Sequence, residues 1–320
     1  MANNESLLLN FVVPTTIRDV APSADLSWLK NVMVIAKPKS GSSAEGIKDY
    51  TSIAAIKEDT DSKCFELMEM GMNKISVCYG STLAEAKAVL DADSSHRYMT
   101  LLVDPAFDDI TVALSWVRDY VLGWQSSTKA DAIAAAAAKD VCAFNDPNDA
   151  NGILMYRSFG LFLSQNTWKD LQLARLDDTD AYGITDLGTA NELFEAGVSF
   201  ALTDQEYKTC LALFAAGGKT ITAPYILRQA KIQTQSLFVQ YLSLRNPKWT
   251  RREAGMIESY LNNNLDQIFV QTGLANELRL VVDLDVTEGD WYVAGVLQVE
   301  KPKAIWRMKL DFYQDIVEGV

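Results

Sequence analysis

Three runs near the end of the chain decide the fold: Leu278-Arg-Leu-Val-Val-Asp-Leu-Asp-Val286, the segment from Trp291 to Val299, and Trp306-Arg-Met-Lys-Leu-Asp-Phe312. In each, apolar residues recur at alternate positions, the period of a β-strand with one buried face. Leu278, Leu280, Val282, Leu284 and Val286 share a face of the first run, and Trp291, Val293, Leu297 and Val299 share one of the second. The third is the most regular, with Trp306, Met308, Leu310 and Phe312 on one side and Arg307, Lys309 and Asp311 on the other. Lys301-Pro302-Lys303 sets it off from its neighbour, so it can fold back on its own sheet or reach into another subunit's. The beginning of the chain matches the end: Leu7, Leu9, Phe11 and Val13 alternate in the same way, ahead of a polar linker bracketed by Pro14 and Pro22.

Between these ends the pattern changes to short apolar runs alternating with helical periods, the mark of an α/β layer structure. Strands are expected at residues 31–36, 75–79, 98–103, 141–144 and 171–176, and helices at 61–70, 82–90, 109–122, 131–139 and 152–163. Gly71 is placed to cap the first of these helices, and Thr82-Leu-Ala-Glu85 has capping-box spacing. Residues 177–188 read as a turn-rich patch, 197–202 and 209–215 as short apolar runs, and Gly217-Gly218 as a turn. Two long helices follow, at 229–244 and from the Thr250-Arg-Arg-Glu253 capping box to Gly273.

Composition narrows the function. With 29 basic and 42 acidic residues the chain carries a net charge of −13, against direct nucleic-acid binding, which rests on Lys and Arg neutralising phosphates. Cys64, Cys78, Cys142 and Cys210 form no C-x-x-C pair and read as reduced thiols of a cytoplasm. No apolar run approaches the ~20 residues of a membrane span, so no membrane insertion is expected.

Chemistry is sparse. His96 is the only histidine, which removes any mechanism or metal site needing two, and it sits in a polar Ser-Ser-His-Arg turn. Neither a phosphate loop nor a dinucleotide fingerprint follows any expected strand. Gly80-Ser81-Thr82 lies at a strand-to-helix turn, where backbone N–H groups can hold an anion; an ordinary helix start explains it as well. Asp104, Asp108 and Asp109 fall beyond the carboxyl end of a strand, where ligands enter open α/β sheets, but read first as a turn and helix caps rather than a divalent-cation site. Asp177, Asp178 and Asp180 form an acidic loop without the Gly and Glu of a calcium loop. Lys248, Arg251 and Arg252 concentrate positive charge at a helix start, where the macrodipole disfavours it, and offer docking to an acidic partner.

The order of these parts resembles the tail sheath proteins of contractile-tailed bacteriophages and related contractile injection systems. The likeness is carried by Cys64-Phe-Glu-Leu-Met-Glu-Met-Gly-Met-Asn-Lys-Ile-Ser-Val77, by Leu101-Leu-Val-Asp-Pro105, by the helix from Ala230-Lys-Ile-Gln-Thr234 to Asn246 with its partner 250–273, and by the run from Val293 to Phe312. It covers most of the chain as an order of elements, and the chain is short for a sheath subunit, so an outer decorating domain would be reduced or absent.

The resemblance implies an α/β (α+β) fold with a wound α/β domain inserted into an inner domain built from both termini. The division it implies is an arm and linker at 1–28, the α/β domain at 29–196, the inner domain at 197–300 and a strand arm at 301–320. It implies a helical polymer around a tail tube, bounded by baseplate and terminator proteins, which contracts to drive the tube through the host envelope for genome delivery. No enzyme activity, cofactor or metal is expected, and the location is a virion tail assembled in the bacterial cytoplasm. Leu7, Leu9, Phe11, Val13, Trp306, Met308, Leu310 and Phe312 would be the strands lent between subunits, with Lys248, Arg251 and Arg252 facing the tube. The alternative is an α/β small-molecule-binding protein or enzyme using the Gly80–Thr82 and Asp104 crevice.

Overall fold

A computed structural model of the chain describes residues 26–107, 110–114, 120–165, 168, 170–171, 174–177, 183–204, 208–245, 251–282 and 295–300. Uninterrupted apolar runs such as Val32-Met-Val-Ile-Ala36 belong to strands buried on both faces, and parallel strands of that kind need helical crossovers. The strands β1 (Val32–Ala36), β2 (Ile47–Tyr50), β3 (Ile75–Tyr79), β4 (Thr100–Val103), β5 (Val121–Ser126) and β6 (Val141–Asn145) form one sheet in the order β2-β3-β1-β4-β5-β6. All neighbours are parallel except β2, which joins the β3 edge antiparallel. The α/β class is as expected.

Helices α1 (Ile53–Asp59), α2 (Glu66–Glu69), α3 (Leu83–Ala92), α4 (Thr111–Leu114), α5 (Lys129–Ala136) and α6 (Ile153–Ser164) are interleaved with these strands. One core layer joins Val32, Val34, Leu102 and Phe144 with Leu154, Phe159 and Phe162 of α6. The other joins Met33, Ile35, Leu101, Val103 and Ala143 with Ala86 and Leu90 of α3 and Ala132 and Ala136 of α5. Small residues on α5 allow a close approach to the sheet, which is the structural use of its alanine run.

Beyond β6, the strands β7 (Arg175–Asp177), β8 (Phe200–Asp204) and β9 (Lys208–Leu213) make an antiparallel sheet in the order β7-β9-β8, with α7 (Leu187–Glu195) ahead of it. The edge of β6 is closed by Ser199, whose N–H donates to Ala143 O (2.8 Å) and whose carbonyl accepts from Asn145 N–H (3.1 Å), and by Gly217 N–H on Val141 O (2.9 Å). The short pair β10 (Ala215–Ala216) and β11 (Lys219–Thr220) flanks the Gly217-Gly218 turn. The helix α8 (Thr222–Arg245) follows, then α9 (Arg251–Leu265), extended by a π-helical turn at Asp266–Val270, and an antiparallel hairpin of β12 (Glu277–Val282) and β13 (Gly295–Glu300). Tyr241, Ala254, Ile257, Leu261 and Leu280 form a small core of their own, holding β12 against the two helices.

Several expectations need correction. The helix expected at 109–122 does not reach its end: α4 is helical over Thr111–Leu114, whereas Val121-Leu-Gly-Trp-Gln-Ser126 is a strand in the middle of the sheet. Its first five residues are buried, and at Gly123 the sheet meets Phe159, with a Cβ there only 2.6 Å from the ring. Tertiary packing overrides the helical spacing of Val121 and Leu122 with residues upstream. The turn-rich patch gives way at Leu187 to α7, capped by Asp186, whose Oδ2 accepts Thr189 N–H at 2.7 Å. The strand expected from residue 171 begins at Arg175, and α8 begins at Thr222 rather than 229. β2 and α1 were not expected at all, because Ile-Lys-Asp-Tyr alternates too briefly to register.

Gly123→Ala should cost about 1–3 kcal/mol by overpacking. Chemical denaturation checks it, with a lowered midpoint at unchanged slope expected.

Candidate functional site

In an open α/β sheet a ligand enters where successive connections run to opposite sides, beyond the carboxyl ends of the strands. Here that point is at β1, flanked by β3 and β4. Both crevice candidates lie there: Gly80 N–H closes on Ala36 O at 3.3 Å, and Asp104 N–H on Ile35 O at 3.0 Å. The sequence places the crevice correctly, and the structure fills it.

The helix start at Gly80–Thr82 is satisfied from within. Thr82 Oγ1 accepts Glu85 N–H (3.2 Å) and Glu85 Oε2 accepts Ser81 N–H (2.9 Å), a complete capping box. Gly80 is required by close approach, since a Cβ there would lie 2.8 Å from Ala86 N. Asp104 is buried and faces three donors: Ser62 Oγ and the Tyr156 hydroxyl (2.8 Å) on Oδ2, and Ala106 N–H (2.9 Å) on Oδ1. Burial, with Asp104 nearby, pushes the Tyr156 hydroxyl well above its usual range. Burial also raises the Cys64 thiol to about 12, against a hydrogen bond from Ser62 that lowers it. Tyr156 therefore stays a proton donor that holds a carboxylate, and Cys64 is no nucleophile near neutral pH.

The rim is occupied too. Asp59 accepts from Ser42 Oγ (2.8 Å), the Tyr50 hydroxyl (2.6 Å) and Lys48 Nζ (3.2 Å), while the hydroxyls of Tyr50 and Tyr79 lie 2.6 Å apart. Lys37 reaches over the Phe107 ring to donate to Ala106 O at 2.8 Å. At the ends of β5 and β6, Gln125 and Asp149 serve the start of α6: Asp149 Oδ2 accepts Leu154 N–H (2.7 Å) and Gln125 Oε1 accepts Met155 N–H (3.1 Å). Asp146 is fully buried, accepts Gly183 N–H (2.6 Å) and Asn148 N–H (2.8 Å), and has its pKa raised by burial.

His96 does not assemble a triad. Asp93 Oδ2 and Ser95 Oγ both lie 3.0 Å from Nδ1, whereas a triad needs nucleophile and acid on opposite ring nitrogens. Among the described residues no group of three or more His, Cys, Asp or Glu is placed to hold a metal ion. Asp108, Asp109, Asp178 and Asp180 lie outside the described residues, as does the side chain of Asp177.

The other end of the sheet makes the connection to the long helices. Before β1, the buried Trp28 ring lies between two guanidiniums, Arg97 at 4.8 Å and Arg228 of α8 at 5.6 Å. At the amino end of β4 the hydroxyls of Thr100 and Tyr225 lie 2.6 Å apart. Phe162, Trp168, Phe214 and Tyr225 pack ring on ring, with neighbouring centroids 4.9–5.7 Å apart. The helical part is thus fixed to the strands' amino ends, opposite the closed crevice. The aromatic residues were legible as core, but nothing local in the sequence marks Trp28 for Arg228, 200 positions away.

Within the helical part, Tyr241 and Tyr260 pack at 5.1 Å and the Tyr241 hydroxyl donates to Glu253. Asn262 of α9 holds β12 by both backbone groups of one residue: its Nδ2 donates to Leu280 O (2.9 Å), and its Oδ1 accepts Leu280 N–H (2.7 Å). Of the basic candidates, Arg251 opens α9, Arg252 is exposed beside it, and Lys248 lies outside the described residues. So do Leu7, Leu9, Phe11, Val13, Trp306, Met308, Leu310 and Phe312. No helix among the described residues is long and apolar enough to cross a membrane.

Among solved structures, this chain is similar to the anti-feeding prophage helical sheath in its contracted state, with a TM-score of 0.60 and 12% sequence identity. The match covers 95% of this chain and 99% of that one, so the two share a fold over nearly their whole lengths. No protein-family model matches the chain, and no curated protein is significantly similar to it.

The Asp59 carboxyl is held below its ordinary value of 3.8, first by the Tyr50 hydroxyl and next by Ser42. A lowered folded pKa gives stability that is present above the unfolded value and lost as pH falls through the folded one. Asp59→Asn should therefore cost about 1–3 kcal/mol at pH 7, and its deficit in thermal melts should shrink below pH 3.8.

Proposed function

We propose that this chain is the repeating subunit of a contractile sheath, polymerising helically around an inner tube and shortening to drive that tube through a cell envelope. The observation that carries the reading is the fold shared, from one end to the other, with a helical sheath in the contracted state. The filled crevice supports it, because the place where an α/β enzyme would take its substrate is occupied by Ser62, Asp104 and Tyr156. Contraction needs no reacting group, since the energy can be stored in a metastable lattice. Heterologous contacts that do not close into a ring generate such a lattice.

In this reading the segments 1–28 and 301–320 are arms joining neighbouring copies, 29–196 is the α/β body, and 197–300 is the inner part nearest the tube. The arms would lend Leu7–Val13 and Trp306–Phe312 to sheets of adjacent copies, gaining main-chain hydrogen bonds from one chain and pockets for alternate side chains. Lys248, Arg251 and Arg252 would face an acidic tube. Tube, baseplate and terminator proteins are the proposed partners, and the tail of a phage or of a related injection particle is the proposed location.

Electron microscopy of the purified protein should show long hollow tubes; a small closed oligomer at every concentration would end the proposal. Deleting residues 1–14 or 304–320 should leave a folded body but abolish tubes, and normal polymers from both truncations would refute the lending of strands. Reversing Lys248, Arg251 and Arg252 to Glu should weaken co-assembly with an acidic tube, read by co-sedimentation.

A further inference from the structure

The hairpin of β12 and β13 has two outer edges, and they are not equivalent. Asn262 takes both the N–H and the C=O of Leu280. Those groups therefore do not bond β13, and Leu280 with its partner Leu297 is one of the wide pairs of the antiparallel ladder, in which both residues turn their backbone groups away from each other. By the same alternation Leu278 and Val282 face outward on β12, and Gly295, Leu297 and Val299 face outward on β13. The side-chain amide presents to Leu280 one donor and one acceptor, as a neighbouring strand would. It caps the middle of the β12 edge, and any strand adding there must first displace it.

The β13 edge carries no such cap among the described residues: β13 pairs with β12 alone. The edge of β6 is covered by Ser199 and Gly217, and Ile184 does the same for β8, exchanging bonds with Ala201 O (2.8 Å) and Thr203 N–H (3.1 Å). Edges left bare invite pairing, and folds cover those that must not pair.

We propose that β13 is the acceptor edge of the hairpin, that its occupant is a strand of a second copy of this chain, and that Asn262 directs the incoming strand there by closing β12. This rests on the sheath reading above and adds to it which edge is used and what selects it. The segments on hand are the alternating runs at Leu7–Val13 and Trp306–Phe312, one at each end of the chain. Addition at one edge only makes the contact heterologous and directional, as an open helical polymer requires.

Proline substitution separates the two edges, since it deletes one N–H and is tolerated where that N–H points outward. Leu297→Pro should keep its far-UV circular dichroism and raise the critical concentration for tubes by about tenfold or more, the worth of one or two lost hydrogen bonds. Val299→Pro makes the same block one pair further on and serves if Leu297→Pro unfolds. Leu280→Pro should lower the melting temperature yet leave the critical concentration within about twofold, because β12 accepts no strand. Asn262→Ala should yield laterally fused, irregular bundles as the second edge opens. If Leu280→Pro blocks tubes and the β13 prolines do not, the edge assignment is overturned while strand addition stands. If all the proline variants form tubes like the parent, strand addition falls too. Single tubes of normal width from Asn262→Ala would remove its directing role.

Discussion

Every strand edge in this fold poses the same demand: a row of N–H and C=O groups needs partners, and a row without them will take another chain. The structure answers it locally at one edge after another. β6 is closed by Ser199 and Gly217, β8 by Ile184, and β12 by the amide of Asn262. The β2 edge carries Lys48 and Asp49, tied to Asp59 and Lys74. Against that background the outer side of β13 stands out, and the sheath reading turns it into the point at which copies join.

The same economy explains the inactive look of the α/β body. A doubly wound sheet has a natural ligand crevice at its switch point, and here the sheet keeps the topology while its own side chains consume the donors and acceptors. Asp104 is held by Ser62, 42 residues before it, and Tyr156, 52 after it. At the opposite end, Trp28 between Arg97 and Arg228 and Tyr225 against Thr100 bind the long helices to the strands' amino ends. A body fixed in this way can move as a rigid unit, the property a shortening lattice asks of its parts.

How much of this could be read from the sequence depended on whether the signal was local. The strand at Ile75–Tyr79, the capping box at Thr82–Glu85 and the helix over Ile153–Ser164 each carry their pattern within a dozen residues, and each was found. The strand at Val121–Ser126 was read as helix, because only Leu102 and Phe159, packed against Gly123 from elsewhere in the chain, make it extended. Asn262 gave no signal at all: on a helix face an asparagine is unremarkable until Leu280 arrives opposite it. The crevice candidates were located from Gly80 and Asp104, but their closure was invisible, since it depends on side chains brought in by the fold.

The most direct measurement is a helical reconstruction of the assembled polymer at a resolution that traces its strands. The account predicts a strand of a second copy hydrogen-bonded to the outward groups of Leu297 and Val299, with Asn262 still on Leu280. A closed ring, or a filament in which β13 meets only solvent, would contradict it.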